Sequence, residues 1–135
     1  MIVEEALDGF IEASLFNPSQ LNSVNPNFYT KGHLALSLSM DRDRDHFWAV
    51  FWAVNQLRNK IAHRLDSPEI DEKMKHLRKC YIDMLSPEQV PHAKSQSDKE
   101  IVDAACLVCA GFLATLKEDA KARRRTIDEN WKGRT

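Results

Sequence analysis

The chain has 135 residues, 43% hydrophobic and 29% charged, with Lys+Arg 19 balanced by Asp+Glu 20. That length and balance suit one compact domain over residues 1–135, and they exclude a disordered chain and a surface that is basic all over. Three cysteines are too few, and odd in number, for a disulfide framework, so a reducing cytoplasm is the expected setting.

Residues 2–16 place Val3, Leu7, Phe10 and Ile11 on one side and Glu4, Glu5, Asp8 and Glu12 mostly on the other, the period of an amphipathic helix. Glu4 and Glu5 also stand where a secretory signal would carry Lys or Arg, so export is not expected. Asn17 and Pro18 end this helix, and the Asn/Ser/Pro-rich stretch 17–27 reads as a loop. A second helix is expected over 28–40, apolar on several sides at Leu34, Ala35, Leu36 and Leu38, and so well inside a bundle. A third, over 43–65, starts in an Asp-rich segment that suits the positive end of a helix dipole. Phe47, Val50, Phe51, Val54, Leu57, Ile61 and Leu65 form its core stripe.

Ser67, Pro68 and Glu69 supply a capping hydroxyl, a first-turn proline and an early acid for a fourth helix, with Ile70, Met74, Leu77, Tyr81 and Leu85 as its buried face. Residues 86–97 form a polar connection, and Ser97 with Glu100 makes a capping box for a fifth helix reaching about residue 130. The apolar stretch 104–116 in that helix falls short of the roughly 20 residues that span a bilayer, so no membrane partner is expected. With no alternating β-branched run and no internal repeat, the expected architecture is all-α, an up-and-down bundle of about five helices.

The most informative string is Arg58-Asn59-Lys60-Ile61-Ala62-His63 near the end of the third helix. With Asn59 directly after the arginine, Ala62 directly before the histidine and a phenylalanine opening the second helix, the segment resembles the HEPN superfamily, which includes proteins similar to the mannitol operon repressor. The resemblance covers the second to fourth helices. It implies a helical bundle that dimerises and, in catalytic members, cleaves RNA without a metal or other cofactor. It further implies Arg58, Asn59 and His63 as the catalytic residues. The residue types suit that chemistry: an imidazole can take a ribose 2′-hydroxyl proton near neutral pH, and a guanidinium can hold a phosphate with two donors. A toxin or antiphage role, with a cognate antitoxin, is one implied setting. A non-catalytic dimer acting as a regulator or adaptor is the alternative.

Helix geometry adds a constraint. At about 100° per residue, Asn55, Asn59 and His63 share a sector of about 80° with Trp48 and Trp52, whereas Arg58 lies about 140° from His63 along the apolar stripe. Arg58 therefore either bends back around the helix or is buried against an acid of the first helix, Glu5 or Glu12, because a buried cation needs a partner. A dimer would bring two motifs around one phosphate. Lys60 and Asn55 are the substrate-binding candidates, and Trp48 and Trp52 the candidates for a dimer interface or base stacking. Ordinary packing is the competing reading for the tryptophans, and a polar element that fixes helix register is the competing reading for Arg58 and His63.

Cys106 and Cys109 have redox or zinc spacing, but no second ligand pair completes a metal site and the pair lies mid-helix, so both read as small buried hydrophobes. Lys117, Lys121, Arg123, Arg124, Arg125, Lys132 and Arg134 make 117–135 basic, either as a solvated helix end or as an attraction for RNA. His33, His46, His76 and His92 show no ligand spacing and read as structural or surface residues.

Overall fold

The structure, a computed structural model, describes residues 2–40, 45–63 and 67–132. It is all-α: α1 (Ile2–Ser14), α2 (Ser19–Asn22), α3 (Phe28–Leu38), α4 (Asp45–Ala62), α5 (Ser67–Met84), α6 (Val90–Ser95) and α7 (Asp98–Lys132). These are seven helices among the described residues against about five expected. The additions, α2 and α6, are single short turns inside segments that read as loops. Pro91 sits in the first turn of α6, where its missing N–H would have had no helical partner. The Asp-rich start 41–44 and the side chain of Ser67 lie outside the described residues. No helix among the described residues is long and apolar enough to cross a membrane.

The chain folds as two compact units, Met1–Asp41 with Ala110–Thr135, and Arg42–Cys109. In the first unit α1 packs against α3 and buries Val3, Leu7, Phe10 and Ile11, the face its periodicity marks. Lys31 of α3 reaches Asp8 at 2.8 Å and Glu4 at 3.7 Å. The Asn27 side chain caps α3 by accepting from the Thr30 N–H at 2.9 Å. Only Gly32 and Ala35 of α3 are buried, and Leu36 is 39% exposed, which corrects the expectation that this helix lies well inside a bundle. Its burial is confined to the narrow side that carries the small residues.

In the second unit α4 packs against α5. Burial on α4 covers Trp48, Val50, Phe51, Ala53, Val54, Asn55 and Leu57, and α5 contributes Met74, Leu77 and Tyr81. Ile61 belongs to the same angular stripe yet is 55% exposed, a correction to its expected place in the core; Leu65 lies outside the described residues. Arg78 of α5 holds Asp98 at 2.7 Å and the Ala93 carbonyl at 3.4 Å, joining α5 to the end of α6 and the start of α7. The expected capping box is formed: Glu100 N–H donates to Ser97 Oγ at 3.2 Å, while Ser97 Oγ and N–H donate to Glu100 Oε1 at 2.9 and 3.3 Å.

Candidate functional site

Gln56, Asn59, Lys60 and His63 recur at intervals of three and four residues and therefore stand along one side of the last turns of α4. With Lys73 of α5 they line an open recess of about 430 Å³. The last turn is closed by the His63 N–H donating to the Asn59 carbonyl at 3.0 Å, which fixes the backbone beneath both side chains. Asn59 and His63 are exposed, whereas Lys60 and Lys73 are half-buried. Lys60 Nζ lies 3.7 Å from Glu69 Oε2, so part of its charge is already answered from α5. Lys73 makes no ion pair among the described residues.

Three of the sequence-derived candidates, Asn59, Lys60 and His63, thus meet in one place. Arg58 does not line the recess and is exposed, which corrects the expectation that its cation is buried. The position is axial: the last fully buried residue of α4 is Leu57, and Arg58 lies beyond it. Trp48 is 4% exposed and Asn55 5%, so neither presents a surface to a partner or a substrate, and both expectations are corrected. Trp48 and Phe51 meet edge to face at 5.4 Å, and the half-buried Trp52 meets Phe51 at 5.1 Å, as packed core rings do. The proposed polar stripe is therefore core in its first half and open recess in its second.

Gln56 and Lys73 also line the recess and lie outside the motif that marks Asn59, Lys60 and His63. Gln56 carried a usable signal, its spacing to Asn59, Lys60 and His63. Lys73 carried none locally, since only the packing of α5 on α4 brings it to the recess.

The other motifs take structural places. Burial, with the neighbouring Cys106, pushes the Cys109 thiol up to about 12, and burial also raises Cys106, which leaves both poor nucleophiles. Among the described residues no group of three His, Cys, Asp or Glu side chains is placed to hold a metal ion. In the basic end of α7, Arg124 donates to the Leu15 and Phe16 carbonyls at 2.6 and 3.3 Å, so one member of that run is tied to the C-terminal end of α1. Arg134 lies outside the described residues. Comparison with protein-family models, curated proteins and solved structures found no match to this chain.

Proposed function

We propose that the protein is a metal-independent endoribonuclease of the HEPN type, acting as a homodimer through Arg58, Asn59 and His63. The observation that carries this reading is the recess itself, in which an exposed imidazole and an amide stand beside Lys60 and Lys73. A phosphodiester seated there meets two cations next to a group able to move protons. His63 takes the proton of the ribose 2′-hydroxyl; that oxygen attacks phosphorus; and the bond to the 5′-oxygen breaks. The products are a 2′,3′-cyclic phosphate and a 5′-hydroxyl, the latter protonated by a second acid or water. Asn59 orients the substrate by hydrogen bonding. Arg58 leaves the same helix about 140° from His63, so the guanidinium that stabilises the phosphorane charge comes from the second chain.

The test is incubation of purified protein with tRNA and total RNA in EDTA. Cleavage that yields cyclic phosphate ends and disappears in His63→Ala is expected. A folded dimer that cleaves no RNA would instead assign the non-catalytic regulator or adaptor reading.

A further inference from the structure

The recess has an asymmetry that the Arg-Asn-His motif does not contain. Of its two lysines, Lys60 has Glu69 at 3.7 Å, whereas Lys73 has no carboxylate partner among the described residues. Lys73 is also half-buried and rises from α5, so it reaches the recess from a different helix than the motif residues. Among the described residues the lining holds cations, amides and an imidazole, with neither an aliphatic side chain nor a Phe, Tyr or Trp ring. Such a surface offers donors to anionic oxygens.

We infer that Lys73 is the residue that holds a ligand phosphate in this recess, and that Glu69 weakens the same site by occupying Lys60. The inference rests on reading the recess as the phosphate site of the proposed nuclease and adds two residues of α5 to it. It assigns opposite effects to two neighbouring charges. Removing Lys73 deletes the cation whose charge is not already answered, while neutralising Glu69 releases Lys60 to the ligand.

The experiment measures fluorescence anisotropy of a labelled 2′-O-methyl oligoribonucleotide, which keeps the phosphates but lacks the attacking hydroxyl, so binding is read without cleavage. Lys73→Met is expected to weaken binding about tenfold and to reduce the salt slope by about 0.7, the loss of one single-strand phosphate contact. Lys73→Arg keeps most of the affinity, and Glu69→Gln tightens binding about threefold at low salt. Lys94→Met on α6, a lysine outside the recess, serves as the control for non-specific charge loss. Circular dichroism confirms that each variant is folded.

Lys73→Met indistinguishable from Lys94→Met overturns the assignment of Lys73, and Glu69→Gln binding more weakly than wild type overturns that of Glu69. Displacement of the oligonucleotide by millimolar pyrophosphate supports a terminal or free phosphate as the ligand; resistance to it supports the phosphodiester chain. This binding pattern without cleavage of unmodified RNA leaves the phosphate site standing and removes the nuclease. Cleavage with binding indifferent to Lys73 does the reverse.

Discussion

Arg124 of α7 donates from Nη1 to the carbonyl oxygen of Leu15 at 2.6 Å, so the end of α1 is closed by a charge about a hundred residues away in sequence. Nη2 reaches the Phe16 carbonyl at 3.3 Å, and the guanidinium carbon stands 5.4 Å from the centre of the Phe16 ring. Both carbonyls lie just beyond Ser14, the last residue of α1, where a cation also complements the negative end of the helix dipole. Arg124→Ala should therefore cost about 1.5 to 3 kcal/mol, the range for hydrogen bonds to a charged group. Urea unfolding reads this as a lower midpoint. An unchanged midpoint would mean that water satisfies these carbonyls equally well.

The parts of the fold that were legible in advance are those settled within a few turns of chain. Val3, Leu7, Phe10 and Ile11 announce the buried face of α1 by spacing alone, and Ser97 with Glu100 announces the start of α7. What periodicity does not report is where along a helix its packing surface stops. Arg58 and Ile61 share the angular stripe of Val54 and Leu57, yet both are exposed and lie past Leu57, the last fully buried residue of α4. The same limit divided the candidate site: Asn59, Lys60 and His63 were legible because they lie on one helix, whereas Lys73 comes from α5 and Trp48 and Asn55 are buried. Arg124 read as one of several solvated bases for a related reason, since its partners are the carbonyls of a distant helix end.

Gly111 lies in α7, and a Cβ placed there would meet nothing within 4 Å. Gly111→Ala should raise stability by about 0.5 to 1 kcal/mol, because alanine loses less backbone entropy on entering a helix and meets no obstacle here. Thermal melts provide the comparison, and a lower melting temperature would count against the open space at this position.

Lys31 ties α3 to α1, and the hydrogen bond its ammonium donates to Asp8 raises it above the ordinary lysine value of 10.5, opposed by burial and assisted by the charges of Asp8 and Glu4. A cation whose folded-state value is raised contributes stability that is complete below its unfolded value and is lost as the pH rises through the folded one. Lys31→Met should accordingly be less stable than wild type by about 0.5 to 1 kcal/mol at pH 8. The gap should shrink as the pH climbs past 10.5. A gap that persists in strong alkali would show that the charge of Lys31 does not carry the contribution.

Cys109 is 1% exposed, and its thiol is held at about 12. At pH 8 only about one molecule in ten thousand carries the reactive thiolate, so iodoacetamide should leave Cys109 unmodified in native protein and label it readily in urea. Cys80 and Cys106 are less buried and should react sooner, though burial raises both. Peptide mass spectrometry follows each site separately. Rapid native labelling of Cys109 ahead of the other two would contradict its place in the core.

Arg58 and His63 are both exposed at the end of α4, so alanine at either should cost no more than about 1 kcal/mol, the range of solvent-exposed interactions, against about 3 to 5 kcal/mol for removing one partner of a buried ion pair. Activity should respond in the opposite way, with each variant losing RNA cleavage while remaining folded. The decisive experiment mixes the two inactive chains. If each site takes Arg58 from one chain and His63 from the other, a mixed dimer contains one site with both residues intact and one with neither. Random reassortment makes half the dimers mixed, so about a quarter of wild-type activity should return. A site built within one chain gives no recovery at all, because every chain then lacks one of its two residues. Absence of recovery from chains shown to exchange would therefore remove the second chain from the reaction and place Arg58 and His63 of a single chain on the same phosphate.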